Sequence, residues 1–166
     1  MAKALQINHE KCTGCRLCEL VCAVGHDGIS NPIRSRIRVM KWEQEGVYIP
    51  MACQQCQDAP CLHGCPVGAI SRNDVTATVE VDYEVCIGCR TCVSVCPFGG
   101  MSFNHIDNKV IKCDLCEGDP QCVRFCEVHA VEFVESSDVS ISKKRVAAER
   151  LYTADKKATA LEVKAA

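Results

Sequence analysis

Sixteen cysteines stand in this chain of 166 residues, and they fall into four groups of four with none left over. The groups are Cys12, Cys15, Cys18 and Cys22; Cys53, Cys56, Cys61 and Cys65; Cys86, Cys89, Cys92 and Cys96; and Cys113, Cys116, Cys122 and Cys126. Each thiolate is a soft anionic donor, so the chemistry these groups offer is metal binding through sulfur. Groups one and three, CTGCRLCELVC and CIGCRTCVSVC, share a C-x2-C-x2-C-x3-C spacing with a Gly and an Arg at matching places. Groups two and four, CQQCQDAPCLHGC and CDLCEGDPQCVRFC, delay the third cysteine by a longer loop that contains a proline. The order along the chain is therefore A, B, A, B.

Three cysteines within seven residues let a loop curl so that three thiolates face three corners of one cubic cluster. The fourth corner needs a cysteine from further away, and this is the iron–sulfur run whose fourth cysteine serves the other cluster of a pair. Zinc takes four cysteines as two separated C-x2-C pairs and has no use for a third ligand three residues on. A disulfide framework calls for an oxidising compartment and usually a secretory signal. The opening MAKALQINHEK has one early lysine and no apolar run before His9, which leads to the expectation of a reducing, cytoplasmic setting. No apolar run approaches the roughly 20 residues of a membrane-spanning helix, so no span is expected.

Gly14 and Gly88 lie between the first two cysteines of their loops, where the missing side chain permits a turn and lets backbone N–H groups approach cluster sulfur. An oxidised four-iron cluster with four thiolates carries about −2, so four add roughly −8. Lys11, Arg16, Arg90 and Lys112 stand beside cysteines and either moderate that charge or are solvated surface cations. The five histidines, His9, His26, His63, His105 and His129, read as surface or packing residues because cysteine already fills the ligand positions. No Ser-His-Asp order, paired-carboxylate motif or phosphate-binding glycine loop occurs, so no catalytic residue and no nucleic-acid partner are expected.

The elements that must hold these groups are short. Strand-like runs flank them at ALQIN, IRVMKW, VYIP, VTATVEVD and AVEFVE, and each group reads as a loop followed by a short helix. Pro66 and Pro97 follow a fourth cysteine and are expected in the first turn of a helix. Aromatic residues make up only 5% of the chain, so the apolar core is small and ligation has to supply cohesion; the apo-protein is expected to be largely unfolded. From 136 to 166 the cysteines stop. That stretch, with seven Lys/Arg against four Asp/Glu, reads as a basic helical or partly disordered extension on an acidic body.

Over about residues 5–135 the four motifs, in their order and spacing, resemble the four-cluster iron–sulfur subunits of molybdenum- and tungsten-pterin oxidoreductases. NPIRSRIRV, at 31–39, also resembles the short versions that accompany tungsten aldehyde oxidoreductases. The resemblance implies an α+β fold of two bacterial-ferredoxin-like modules, each with short strands and helices around two [4Fe-4S] clusters. The outer module takes 1–30 with 105–135, the inner module 50–104, and a hairpin is inserted at 31–50. It further implies nested ligand sets: Cys12, Cys15, Cys18 with Cys126; Cys113, Cys116, Cys122 with Cys22; Cys53, Cys56, Cys61 with Cys96; and Cys86, Cys89, Cys92 with Cys65. Pairing group one with two and three with four also satisfies every thiol, and spacing leaves both schemes open.

The expected role is a non-catalytic relay of single electrons between a pterin-metal subunit, molybdenum or tungsten, and a flavin/NAD subunit or soluble ferredoxin. The alternatives are an assembly connector whose basic tail, with Arg150, Leu151 and Tyr152, drives self-association, and a freely diffusing polyferredoxin.

Overall fold

Strands bracket the cysteine groups in the computed structural model, which describes residues 3–136. β1 (Lys3–Ile7) leads into group one, and β2 (Arg38–Trp42) with β3 (Val47–Met51) leads into group two. β4 (Ile70–Arg72) and β5 (Val79–Val81) separate groups two and three, β6 (Met101–Asn104) and β7 (Lys109–Lys112) separate three and four, and β8 (Val131–Glu135) follows four. Within the groups lie four helices, α1 (Leu17–Asp27), α2 (Pro60–His63), α3 (Thr91–Val95) and α4 (Gln121–Arg124). The result is a small mixed α+β protein. Beyond Ser136 the expected extension at 136–166 lies outside the described residues.

All pairing is antiparallel and two-stranded: β2–β3, β4–β5 and β6–β7 are hairpins, while β1 pairs with β8 across almost the whole described chain, from Lys3↔Glu135 to Ile7↔Val131. An isolated two-stranded ribbon is marginal in water, so each one leans on a core. Leu5, Cys22, Ile37, Ala52, Cys113, Leu115, Cys122 and Val131 form one buried cluster. Ala59, Cys61, Ile70, Val79, Cys92, Met101 and Val110 form the other. Cysteine is a core residue in both. Among the described residues no helix is long and apolar enough to cross a membrane.

Two local expectations are corrected. Pro66 and Pro97 do not start helices; α2 and α3 end before Cys65 and Cys96, and the prolines follow where the helix has stopped, because proline cannot continue a helix. The helix instead carries the third cysteine of its group. VTATVEVD is a strand only at Val79–Val81, since the Asn73 side chain accepts the Val75 and Thr76 amides and Ala77 turns at φ 58°.

The inserted hairpin β2–β3 is locked to group one. Glu19 on α1 is fully buried; its carboxylate accepts the Val39 amide at 2.7 Å and the Arg16 guanidinium at 2.5 and 3.0 Å. Tyr48 on β3 lies against Gly14, whose φ is +71°, and a Cβ there would stand 2.5 Å from the ring. Replacing Glu19 by Leu keeps the bulk but strands the buried Val39 N–H. Glu19→Leu is expected to destabilise the loaded protein by roughly 2 kcal/mol, the cost of one unsatisfied buried donor with its charge-assisted bond, read as a lower thermal midpoint under anaerobic conditions.

Candidate metal centres

The third residue of every C-x2-C loop has a positive φ: Gly14 at 71°, Gln55 at 48°, Gly88 at 69° and Leu115 at 61°. That kink turns successive backbone N–H groups towards one side and makes an anion-binding concavity of the kind found at iron–sulfur sites. Glycine takes this conformation freely in the A groups. In the B groups other interactions hold it: the Gln55 side chain donates to the Cys113 carbonyl at 2.8 Å and accepts the Val79 amide at 2.9 Å, and Leu115 is buried in the first core cluster.

A second recurring device sits after the fourth cysteine. Cys65 Sγ accepts the Ala69 amide at 3.3 Å, Cys96 the Gly100 amide at 3.3 Å, and Cys126 the Ala130 amide at 3.2 Å. In each case the preceding residue is left-handed, Gly68 at 67°, Gly99 at 60° and His129 at 50°, and a strand begins one residue further on. Group one differs because Cys22 lies inside α1, where the i+4 amide belongs to the helix ladder. Its sulfur accepts instead from the Arg36 amide at 3.3 Å, supplied by the inserted segment.

Two cavities collect thiols from different groups. One is lined by Cys53, Cys56, Cys61 and Cys96, with Val79, Phe98 and Met101 in its wall. The other is lined by Cys65, Cys86, Cys89 and Cys92, with Ile70 and Val110. In each, three cysteines come from one group and the fourth from its neighbour. Cys22, Cys113 and Cys122 share the first core cluster, and Cys122 feels the charges of Cys113, Cys22, Cys116 and Cys18. Cys18 feels Cys15 and Cys12, and α4 packs on α1, which brings group four alongside group one. The Ala130 amide fixes Cys126.

No two of the sixteen cysteines are joined by a disulfide in this structure. Burial pushes the Cys18 thiol up to about 12, with Glu19 and Cys15 adding like charge. Burial likewise raises Cys113 to about 12 and Cys92 to about 11, and lifts Cys61 and Cys122. At Cys22 burial pulls upward too, but the hydrogen bonds from His26, the Arg36 amide and Ser35 outweigh it and the thiol falls. Thr91 lowers Cys89 by hydrogen bonding.

Bare thiolates in these apolar cavities are costly, and a cationic iron core is the partner that offsets the cost. The donor set therefore fits iron–sulfur clusters, and loading must displace thiol protons.

Sequence reasoning placed four cations near the thiols, and they divide. Lys11 reaches Glu132 at 4.0 Å on the surface, Arg16 serves Glu19, and Arg90 stacks on Phe103 at 3.7 Å. Lys112 alone of the four is buried. Reading all five histidines as surface or packing groups missed His26: its ring bonds the Cys22 carbonyl at 2.9 Å and Asp114 at 3.0 Å, tying α1 to group four. Asp114, Cys116 and Cys22 raise its pKa, while Asp114 is held low by that bond in spite of burial. The available signal was spacing, since His26 follows Cys22 by one helical turn.

Repeated cysteine loops, amide-to-sulfur bonds and sulfur-lined cavities define a ferredoxin-type iron–sulfur protein. Residues 44–136 match the family described as 4Fe-4S dicluster domain, and residues 9–25 that described as 4Fe-4S binding domain; the chain belongs to the 4Fe-4S dicluster family. It is 43% identical over 120 residues to the polyferredoxin-like subunit of aliphatic sulfonate oxidoreductase from Pyrococcus furiosus, a match covering 72% of this chain and 69% of that one. It is 37% identical to the electron transport protein HydN of Escherichia coli, over 81% of this chain and 91% of that one. A chain of the BamBC active-site complex of benzoyl coenzyme A reductase has the same fold, with TM-score 0.50 and 24% identity over 87% of this chain and 88% of that one.

Gly100 tests the cavities. A Cβ there would stand 2.8 Å from Cys53 Cα, so Gly100→Ala is expected to lower iron content and visible charge-transfer absorbance. Gly25→Ala in α1, where the nearest atom is 3.8 Å away, is expected to keep both and to stabilise by about 0.5–1 kcal/mol.

Proposed function

We propose that this chain carries four [4Fe-4S] clusters on its sixteen cysteines and relays single electrons between a catalytic oxidoreductase subunit and a second redox protein. The observation that carries the reading is the mixed lining of the two cavities, three thiols from one group and one from the next. It favours exchange within the inner pair: Cys53, Cys56, Cys61 with Cys96, and Cys86, Cys89, Cys92 with Cys65. By the same logic the outer sets are Cys113, Cys116, Cys122 with Cys22, and Cys12, Cys15, Cys18 with Cys126. The β1–β8 ribbon and the α1–α4 contact support the outer pairing. The modules are then outer, 1–30 with 105–135, and inner, 50–104, with the hairpin 31–50 between them.

Bound clusters supply one-electron exchange without bond making. The chain contributes amide donors that stabilise negative sulfur, apolar walls that exclude water, and fixed spacing between sites. Naming of relatives as a polyferredoxin-like subunit and an electron transport protein supports a non-catalytic role here. The partner is a pterin-metal subunit of the tungsten or molybdenum type. The second redox protein is a flavin/NAD subunit or a soluble ferredoxin, and the chain exchanges electrons between the two.

Anaerobically purified protein is expected to hold about sixteen irons, four per cluster; a reproducible value near eight sinks the four-cluster reading. Cys126→Ser is expected to damage the cluster on Cys12, Cys15 and Cys18. Loss confined to the cluster on Cys113, Cys116 and Cys122, seen by Mössbauer and EPR spectroscopy, contradicts the exchange. Stoichiometric co-purification of a pterin-containing subunit tests the partner.

A further inference from the structure

A lysine in the interior has no ordinary reason to be there. Lys112, the last residue of β7, is 4% exposed, and none of the ion pairs among the described residues involves it. Its Nζ donates to the Cys113 carbonyl at 2.8 Å and to the Val79 carbonyl. Two carbonyl acceptors suit an ammonium, but an unpaired buried charge remains expensive until an anion faces it.

The anions are sulfurs from two different groups. Lys112 acts on the thiols of both Cys61 and Cys113, and Cys53 acts on the same two. Val79, whose carbonyl receives Nζ, stands in the wall of the cavity lined by Cys53, Cys56, Cys61 and Cys96. Cys113 belongs to the other core cluster. Gln55 joins the same two backbone points, taking the Val79 amide and donating to the Cys113 carbonyl. Lys112 and Gln55 thus form a polar stitch across the seam between the two buried clusters of side chains, and Lys112 is its charged member.

Resting on the four-cluster reading, we infer that Lys112 is a positioning residue for electron transfer: a fixed buried cation between the clusters on Cys53, Cys56, Cys61, Cys96 and on Cys22, Cys113, Cys116, Cys122. Its charge stabilises the reduced form of each and so raises both potentials together. In the crossing step one electron leaves one of these clusters, which is oxidised, and enters the other, which is reduced. No proton moves. A cation shared by donor and acceptor favours the electron on either side and keeps the seam from becoming an energetic trough on one side only. The two remaining clusters, on Cys12, Cys15, Cys18, Cys126 and on Cys65, Cys86, Cys89, Cys92, are not flanked by this charge.

The test is an EPR-monitored redox titration of the full, cluster-loaded chain carrying Lys112→Met, Lys112→Gln or Lys112→Arg, with iron and sulfide assayed on each sample. Signals are assigned beforehand from Cys61→Ser and Cys113→Ser. Met and Gln are expected to keep iron content and to move the two seam clusters to lower potential, leaving the other two in place; Arg is expected to stay near the parent. Gln separates charge from hydrogen bonding, because it still offers a donor to the carbonyls.

Full iron content with unchanged potentials in Met and Gln, or an equal shift of all four clusters, overturns the inference. If Met and Gln both lose iron from the two seam clusters while Arg retains it, a requirement for the charge is upheld; loss in all three marks a packing role and overturns it. Fewer than four clusters in the unaltered protein is a separate outcome, which removes the functional reading before any Lys112 variant is measured.

Discussion

Sulfur anions and apolar burial oppose each other throughout this chain, and the fold exists where a metal reconciles them. Five of the cysteines are buried and several thiols are pushed well above their usual range. Among the described residues the other elements are small. The sheets are two-stranded and three of the helices run four or five residues, lengths that do not persist alone in water. Site and core are consequently the same object, and a change that lowers iron affinity lowers stability by the same act.

Around that constraint the chain repeats a local solution and repairs it once. Three groups end in a left-handed turn that aims an amide at the fourth sulfur. In group one the helix runs on through Cys22 to Asp27 and consumes the corresponding amide. The inserted segment makes up the difference: Arg36 gives its N–H to Cys22, Val39 gives its own to Glu19, and Tyr48 closes over Gly14. What looks in sequence like an interruption between two cysteine groups is the missing wall of the first.

The cysteine grouping, the A-B-A-B order, five of the strand-forming runs and the mixed α+β class were legible from residue types and spacing. Positions of the short strands β4, β6 and β7 were not, because three or four residues carry too little alternation to stand out. Pro66 and Pro97 do not by themselves place the helices, since proline marks the turn after a helix as well as its first turn. The left-handed Gln55 and Leu115 give no local sign; contacts distant in sequence hold them there. Lys112 stands beside a cysteine in the sequence, yet its burial depends on how β7 packs against Val79, which sequence order does not reveal.

The β1–β8 ribbon has a consequence for how the protein is made. During synthesis residues 3–7 leave the ribosome on the order of ten seconds before their partners at 131–135 at ordinary elongation rates. Through that interval β1 has no partner strand, while all three hairpins can close on neighbours already in hand. Hairpin pairing is therefore available to the middle of the chain before the β1–β8 ribbon can form. Cys12, Cys15, Cys18 and Cys22 gain that ribbon beside them only once β8 has been made.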